Sequence, residues 1–560
     1  MSHKRTASPV SPSPVSRRSF MGAAGIGAGA LALGVPSALP VGSAAAAPGK
    51  RVFVHGVASG DPLPDGVILW TRVTPSPDAT PGSGLGEGST LAWEMSTDQG
   101  FGSIVASGAA SADAARDHTV KVDASGLAPR TTYWYRFRVT GGPAAGAVSP
   151  VGRTRTAPAT DADVATVKFG VASCSNWEAG YFAAYRHLAK RTDLDAVIHL
   201  GDYLYEYGVG GYGGKNGTVR EHKPAHDIVS LADYRIRHGQ YKTDPDLMKL
   251  HATLPFIVTW DDHETADNAY RGGAENHDSR TQGPWATRKA DADQAYYEWM
   301  PVRPVVTANN RHLYRRLRYG NLLELSMLDL RTYRDRESSS FSKRADSERV
   351  TITGRAQMEW ITGGITTSTT QWQLVGNSVM ITPVLIPPLD PDTTGALTDL
   401  IGVPENGIPL GGDSWDGYNR DRDRLLEAVD EAGKRNVVFL TGDIHMSWAN
   451  DIPRKPAAYP AGGTLGTEFV VTSVTSNNVD DMVGVPERTV GNAASAGLQT
   501  SNRYVRWVDT DAHGYAVLTV DSAAARMDWY AVRDRADRHT GEYHAQAWQV
   551  RSGSRRVTKV

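Results

Sequence analysis

Three apolar runs in this chain end in the same way, and that ending limits the folds open to it. Ala196-Val197-Ile198-His199-Leu200 runs into Gly201-Asp202-Tyr203-Leu204-Tyr205. Phe256-Ile257-Val258-Thr259-Trp260 runs into Asp261-Asp262-His263-Glu264, and Asn436-Val437-Val438-Phe439-Leu440 into Thr441-Gly442-Asp443-Ile444-His445. Short, β-branched apolar runs read as buried strands. Ionisable residues placed directly after them gather beyond the strand ends of a layered α/β sheet, where such folds hold their ligands. A fourth run, Val167 to Ala172, ends at Ser173-Cys174, and Cys174 is the only cysteine in 560 residues.

Helical patterns lie between the runs, at 181–190 and 288–300. Further apolar strands are expected at 322–330, 373–381, 469–474 and 515–520. This many strands, alternating with helices, fit an α/β fold: a sandwich of two sheets flanked by helices, spanning 166–535. Ahead of it, residues 51–156 read as an all-β unit, with short runs at 66–71, 90–94, 118–122 and 132–139 between turn clusters. There Leu127-x-Pro129-x-Thr131-x-Tyr133-x-Tyr135 resembles the late-strand pattern of fibronectin type III sandwiches, with a tyrosine latching a corner. Residues 157–165 read as a linker, and 536–560 as a C-terminal tail or lid.

Residues 1–47 have the pattern of an export signal rather than of a fold. Arg17-Arg18-Ser19-Phe20-Met21 precedes a Gly/Ala/Leu-rich run and the small residues Ala44 to Ala47. The paired arginines resemble a twin-arginine signal, although Gly22 stands where a basic residue often closes that motif. The expected partner is the twin-arginine export machinery, which carries folded proteins, and the expected location is extracellular. An exported chain with one cysteine has no internal disulfide, so Cys174 is either a buried apolar side chain or a ligand. Loss of Lys4, Arg5, Arg17 and Arg18 moves the formal net charge from −2 to −6, which leaves no basic footprint for nucleic acid.

Asp202, Asp262 with His263, Asp443 with His445, and Cys174 all fall at strand ends. Buried carboxylates crowded together repel and protonate unless cations neutralise them, so the set reads as a metal cluster. His199 lies inside a strand and reads as a hydrogen-bonded core residue. Asn377 reads as a strand-end residue, and Arg280, Arg288 and Arg331 are equal candidates for contacting an anion. Asp329 and Arg331 are spaced to pair with each other.

Several stretches together carry a family resemblance: Ser173-Cys174-Ser175, Gly201-Asp202-Tyr203-Leu204-Tyr205, Trp260-Asp261-Asp262-His263-Glu264, Asp329-x-Arg331-x-Tyr333-Arg334, Trp415-Asp416-Gly417-Tyr418 and Gly442-Asp443-Ile444-His445. In these the chain resembles the secreted PhoD-type alkaline phosphatases, a family of metallophosphatases. The resemblance implies a two-sheet metallophosphatase sandwich and a ferric ion, Fe(3+), with calcium, Ca(2+), beside it. Carried over, Cys174, Asp202, Tyr205 and His445 would hold iron. Asp202 would bridge to calcium, and Asp262, Asp416 and Asp443 would supply hard oxygen donors to it. Asp202 and Tyr205 would share one face if their segment were helical. Oxygen donors, where related phosphatases place nitrogen, argue against zinc at the second site. His263, beside Asp262, is the candidate to contact the phosphoryl group or leaving oxygen, or else to orient its neighbours.

The reaction implied is hydrolysis of a phosphate monoester or diester by metal-activated hydroxide. No Gly-x-Ser-x-Gly elbow offers a serine route. One alternative is a phosphodiesterase or phospholipase D acting at a lipid surface, with loops 207–226 and 383–413 setting access. The apolar stretch 383–389 would touch lipid in that reading and pack as a loop in the other. A second alternative is a non-catalytic exported binding protein with a degenerate phosphatase domain.

Overall fold

The computed structural model describes residues 52–307 and 310–560; the export signal lies outside them. Two sheets face each other. The larger has ten strands, in the order Val557–Lys559, Glu542–Arg551, Ala524–Val532, Gly514–Asp521, Thr166–Ala172, Ala196–Leu200, Phe256–Thr259, Val57–Leu63, Gly66–Arg72 and Thr119–Ser125. The other has seven: Arg315–Tyr319, Leu323–Met327, Trp372–Asn377, Val437–Thr441, Thr464–Val470, Ser447–Pro453 and Val505–Asp509. Phe169, Val171, Ile198 and Leu200 from the first meet Leu325, Leu374, Val438 and Leu440 from the second in one dry layer. Full burial of each such side chain contributes roughly 1.5–3 kcal/mol.

The outer faces are covered by helices. Leu231–Tyr241, Pro245–His251 and Trp285–Trp299 lie over the ten-stranded sheet, and Arg355–Thr367 and Asn419–Glu431 over the seven-stranded one. Strands buried on both faces explain the unbroken apolar runs in the sequence. The Cys174, Asp202 and Asp262 strands are parallel neighbours, with Val171 opposite Ile198 and Val197 opposite Phe256. Their C-terminal ends therefore open on one edge of the sandwich. The Asp443 strand runs parallel to Trp372–Asn377 and Thr464–Val470 in the facing sheet.

Three expectations change in detail. The N-terminal unit is all-β as expected, and it is joined to the rest: Val57–Leu63 pairs in parallel with the Asp262 strand at Gly60 and Phe256, so half of its sandwich continues the ten-stranded sheet. The other half is a four-stranded sheet whose Leu91, Tyr135 and Phe137 pack on Val67, Leu69 and Val120. The tyrosine corner is present, with the Ala128 amide donating to the Tyr133 hydroxyl at 2.8 Å. Second, residues 536–560 are not a lid. Glu542–Arg551 and Val557–Lys559 are the outermost strands of the large sheet, zipped to Ala524–Val532. Third, the strand expected over 469–474 is Thr464–Val470, and the chain beyond it is a loop that turns back to the Cys174 backbone.

Candidate metal centre and its surroundings

The strand ends deliver their side chains through strained backbone. Cys174, Asp202, Asn268, Asp443 and His445 all have positive φ, between 52° and 65°. For a non-glycine residue that conformation costs about 1–2 kcal/mol, and such strain clusters at functional sites. Gly201 (φ 104°) precedes Asp202 because a Cβ there would sit 2.6 Å from the Asp261 Cβ. Gly442 precedes Asp443 because its Cβ would lie 2.8 Å from the Ser173 Cβ.

Among the described residues, three groups could hold a metal ion, each with candidate donor atoms within 4.8 Å of one another: Cys174, Asp202 and His445; Asp202, Asp262 and His263; and Asp261, Asp262 and Asp443. All are buried. Tyr205 joins the first group. Its hydroxyl donates to Asp202 Oδ2 at 2.9 Å and lies 3.1 Å from His445 Nε2. Residues 201–207 form no helix, so a loop, not a helical turn, brings Tyr205 to Asp202. His445 Nδ1 donates to the Asn477 carbonyl at 2.7 Å, so Nε2 is the nitrogen that faces Tyr205 and Asp202. Ser476 Oγ donates to the Tyr205 oxygen at 2.6 Å.

The electrostatics of this nest fit a bound cation. Burial, then the charge of Asp202, pushes the Cys174 thiol well above its usual range. Burial and the same carboxylate raise the Tyr205 phenol. Asp202 is itself raised by burial and by Asp262, Asp261 and Glu264, against the relief His263 gives. Thiolate, phenolate and carboxylate are therefore poor anions here without a bound positive ion. Among the described residues, the buried Asp202 Oδ1 has no hydrogen-bond partner, and neither has the buried Asn268 Oδ1. Orphaned oxygens at this depth fit metal ligands.

His263 faces the same nest. Its Nδ1 is 2.7 Å from Glu206 Oε2, its Nε2 3.9 Å from Asp262 Oδ1, and its ring stacks on Tyr205 at 4.2 Å. Burial opposes its protonation, but the charges of Asp262, Glu206 and Asp202 outweigh that and hold its pKa well above the usual value. Glu264 ties the loops together, accepting from the amides of Asp202 (3.2 Å), Tyr203 (2.7 Å) and Asp261 (2.8 Å).

Among the three arginine candidates, the structure places Arg331 at the cluster. Its guanidinium grips Asp261 at 2.6 and 3.0 Å and Asp413 at 2.8 and 3.0 Å, and lies 3.7 Å from both Asp262 and Asp443. The Arg331 guanidinium does not pair with Asp329, whose Oδ1 accepts instead from Trp260 Nε1 and from the backbone amides of Arg331 and Thr332. Arg280 is exposed on Asp278, and Arg288 is buried against Tyr234 and the Ile228 carbonyl.

Asp416 joins none of the three groups. Arg422, six residues on, takes one carboxylate oxygen and the Val384 amide the other at 2.9 Å. Asn377 is structural: its amide bonds Thr441 Oγ1 and accepts from Trp415 Nε1. His199 bonds the Tyr185 hydroxyl at 2.8 Å inside the core. Glu206, Asn268, Asp413 and Ser476 were not singled out in the sequence. Of these, only Glu206 sits inside a strand-end loop of the kind that opens the site, and Asn268, Asp413 and Ser476 lie in loops without periodicity.

A two-sheet sandwich with thiol, phenol, imidazole and carboxylates converging from its strand ends defines a phosphatase of the metallophosphatase type. Family comparison narrows the class. Residues 169–529 match the PhoD-like phosphatase family, and residues 39–158 match the PhoD-like phosphatase N-terminal domain. The chain is 39% identical over 472 residues to alkaline phosphatase D of Bacillus subtilis (strain 168), covering 82% of this chain and 76% of that one. A solved structure of PhoD superimposes with a TM-score of 0.78 at 33% identity, covering 91% and 92% of the two chains. The chain belongs to the PhoD-like phosphatase family and is a phosphoric ester hydrolase. That sets aside the reading as a non-catalytic binding protein.

Proposed function

We propose that the protein is an exported phosphoesterase that hydrolyses phosphate monoesters and diesters with iron and calcium. The observation that carries the metal reading is Asp202, whose buried Oδ1 has no partner among the described residues while Cys174, Tyr205, His445 and Asp262 surround the carboxylate. Cys174, Asp202, Tyr205 and His445 would hold Fe(3+), since anionic thiolate, phenolate and carboxylate donors favour a trivalent ion. Asp202, Asp262 and Asp443 would hold Ca(2+), with Asn268 offering a further oxygen. The ions would supply the Lewis-acid charge that makes water acidic and neutralises phosphoryl oxygens. His263, aimed by Glu206, presents its ring to the phosphoryl or leaving oxygen. Arg331 supplies fixed positive charge, and the rings of Tyr205, Tyr207 and Tyr212 wall the nest from solvent.

Phospholipase D-type action on phospholipid or headgroup diesters is a second reading. What favours it is the broad opening beside Asp443 and His445, which leaves room for a second ester substituent. Export by the twin-arginine route rests on residues 1–47. Among the described residues no helix is long and apolar enough to cross a membrane.

Removal of metal tests the proposal. Dialysis against a strong chelator is expected to abolish hydrolysis of both p-nitrophenyl phosphate and bis-p-nitrophenyl phosphate, and ferric ion with calcium to restore it. Full activity in metal-free protein would contradict it.

A further inference from the structure

The opening beside the metal centre stops short of the residue that would meet the phosphoryl group. Its lining includes Asp443, His445 and Tyr212, but none of Cys174, Asp202, Tyr205, Asp262 and His263. Those five are at most 2% exposed. The ring of Tyr212 stands between. It stacks at 5.7 Å from Tyr205 and 6.3 Å from His263, and lies 6.4 Å from His445. A phosphoryl group entering from the cavity meets Tyr212 before it meets His263.

Tyr212 is carried by a segment with a hinge on each side. Residues 208–217 hold six glycines among ten residues, and their one regular element is the short turn Gly214–Asn216. Gly210 (φ 80°) and Gly217 (φ 61°) bracket Tyr212 in the left-handed region, and a Cβ on either would meet no atom within 4 Å. Backbone conformation, not crowding, calls for glycine at both, and such positions absorb large changes of φ and ψ. Backbone bonds tie the segment at its ends, from the Val209 amide to the Ala225 carbonyl at 2.8 Å and from the Val219 amide to the Glu178 carbonyl at 2.9 Å. Between these ends, side chains of the body hold it. Glu178 accepts from the amides of Gly210 and Tyr212 and from the Thr218 hydroxyl, and Asn176 Nδ2 donates to the Tyr212 carbonyl at 2.9 Å.

Lys215 is the clasp. Its ammonium lies 2.9 Å from Asp481 Oδ1, with the lysine side chain 27% exposed and the carboxylate 1%. Asp481 also takes His513 Nε2 at 2.8 Å and Arg535 Nη2 at 3.0 Å, so its charge stays paired when Lys215 leaves. Arg535 donates in turn to Asn477 Oδ1 at 2.8 Å, and the Asn477 carbonyl is the acceptor that orients His445. The clasp therefore joins the Tyr212 segment to the loop that aims one of the ligand candidates.

We propose that residues 209–219 form a gate, which swings between Gly210 and Gly217 to carry Tyr212 clear of His263 and closes through Lys215 on Asp481 once a phosphate ester is bound. The proposal rests on the phosphoesterase reading above. Closure restores the tyrosine wall around the reacting group and shuts out bulk water.

Hydrogen exchange of the full, metal-loaded protein, read by mass spectrometry, tests it, with orthovanadate as the phosphoryl analogue. In the free enzyme the amides of 209–219 are expected to exchange faster than those of Ala196–Leu200 and Phe256–Thr259. They are expected to slow at least tenfold at vanadate concentrations that fully inhibit p-nitrophenyl phosphate hydrolysis. Lys215→Met is expected to speed their exchange roughly two- to fivefold in the free enzyme, as loss of one ion pair with an end at the surface should, and to leave the strands unchanged. Lys215→Arg is expected to keep the parent rate. If either vanadate or Lys215→Met leaves 209–219 unchanged in an enzyme that vanadate inhibits, the gate is overturned while the phosphoesterase reading stands. Failure to hydrolyse any phosphate ester removes the reading beneath it, and the gate falls with it.

Discussion

At the scale of single residues, the centre is a set of side chains that burial alone would leave uncharged. Cys174 and Tyr205 are pushed toward their neutral forms by desolvation and by Asp202, and Asp202 by desolvation and by Asp262, Asp261 and Glu264. His263 goes the other way because three carboxylates surround it. Glu206 is the residue that orients it, through a 2.7 Å contact with Nδ1. Replacement of the partner behind a functional histidine typically costs 10- to 100-fold. Glu206→Gln keeps the volume and one acceptor but removes the charge. It is expected to lower kcat/KM for p-nitrophenyl phosphate by about 10- to 100-fold with the fold intact. Steady-state kinetics beside a circular dichroism melt would check this, and unchanged kinetics would remove Glu206 from the site. Much of this scale was legible in the sequence, since Asp202, Asp262, Asp443 and His445 directly follow apolar runs that could only be buried strands. What was not legible was partner choice. Spacing places Asp416 among acidic loops but does not say that Arg422 takes its carboxylate, nor that Arg331 reaches Asp261 and Asp413 rather than Asp329.

At the scale of elements, the site depends on two short helices that roof the cavity. Val479–Val483 and Gly491–Ser501 are joined through Asp480, whose carboxylate accepts the amides of Thr489 (2.8 Å), Val490 (2.8 Å) and Gly491 (3.1 Å). Asp511 meets the same turn through the Arg488 amide. Burial, then its hydrogen bond and repulsion with Asp480, pushes Asp511 up to about 7. In the unfolded chain an aspartate titrates near 4. A raised folded value means the protonated carboxyl favours the fold, so its contribution is whole below about pH 4 and lost as pH rises through 7. An uncharged asparagine side chain at this position would imitate the protonated acid. Asp511→Asn is therefore expected to melt higher than the parent at pH 8, with the gap closing toward pH 5. Thermal melts across pH 5–9 measure this, and a pH-independent gap would contradict it. These helices were not read from the sequence, because Val479–Val483 is only five residues long and Gly491–Ser501 is built mainly of Gly, Ala and Ser, with no clear apolar face. The C-terminal strands were missed for a related reason: Glu542–Arg551 is an outer strand with few fully buried positions, so its alternation is weak.

At the scale of the whole molecule, the catalytic sandwich and the N-terminal β unit are one structure. The ten-stranded sheet runs from the C-terminal strands through the Cys174, Asp202 and Asp262 strands to Val57–Leu63. Asp61 locks the seam, taking Arg315 from the facing sheet at 2.8 and 2.5 Å and the Arg303 amide at 2.6 Å. The strand that carries Asp262 and His263 therefore has a neighbour on each side, one from each nominal domain. This rigidity holds five left-handed site residues in place and lets donors from both sheets converge on one buried point. The central claim is that they converge there to hold a trivalent metal through Cys174 and Tyr205. Elemental analysis combined with visible absorption of the purified protein tests it most directly, in the parent and in Cys174→Ala. The parent is predicted to contain iron and to show a visible thiolate- and phenolate-to-metal charge-transfer band, and a folded Cys174→Ala protein to lose the iron, the band and most activity. An iron-replete, fully active Cys174→Ala protein would contradict it.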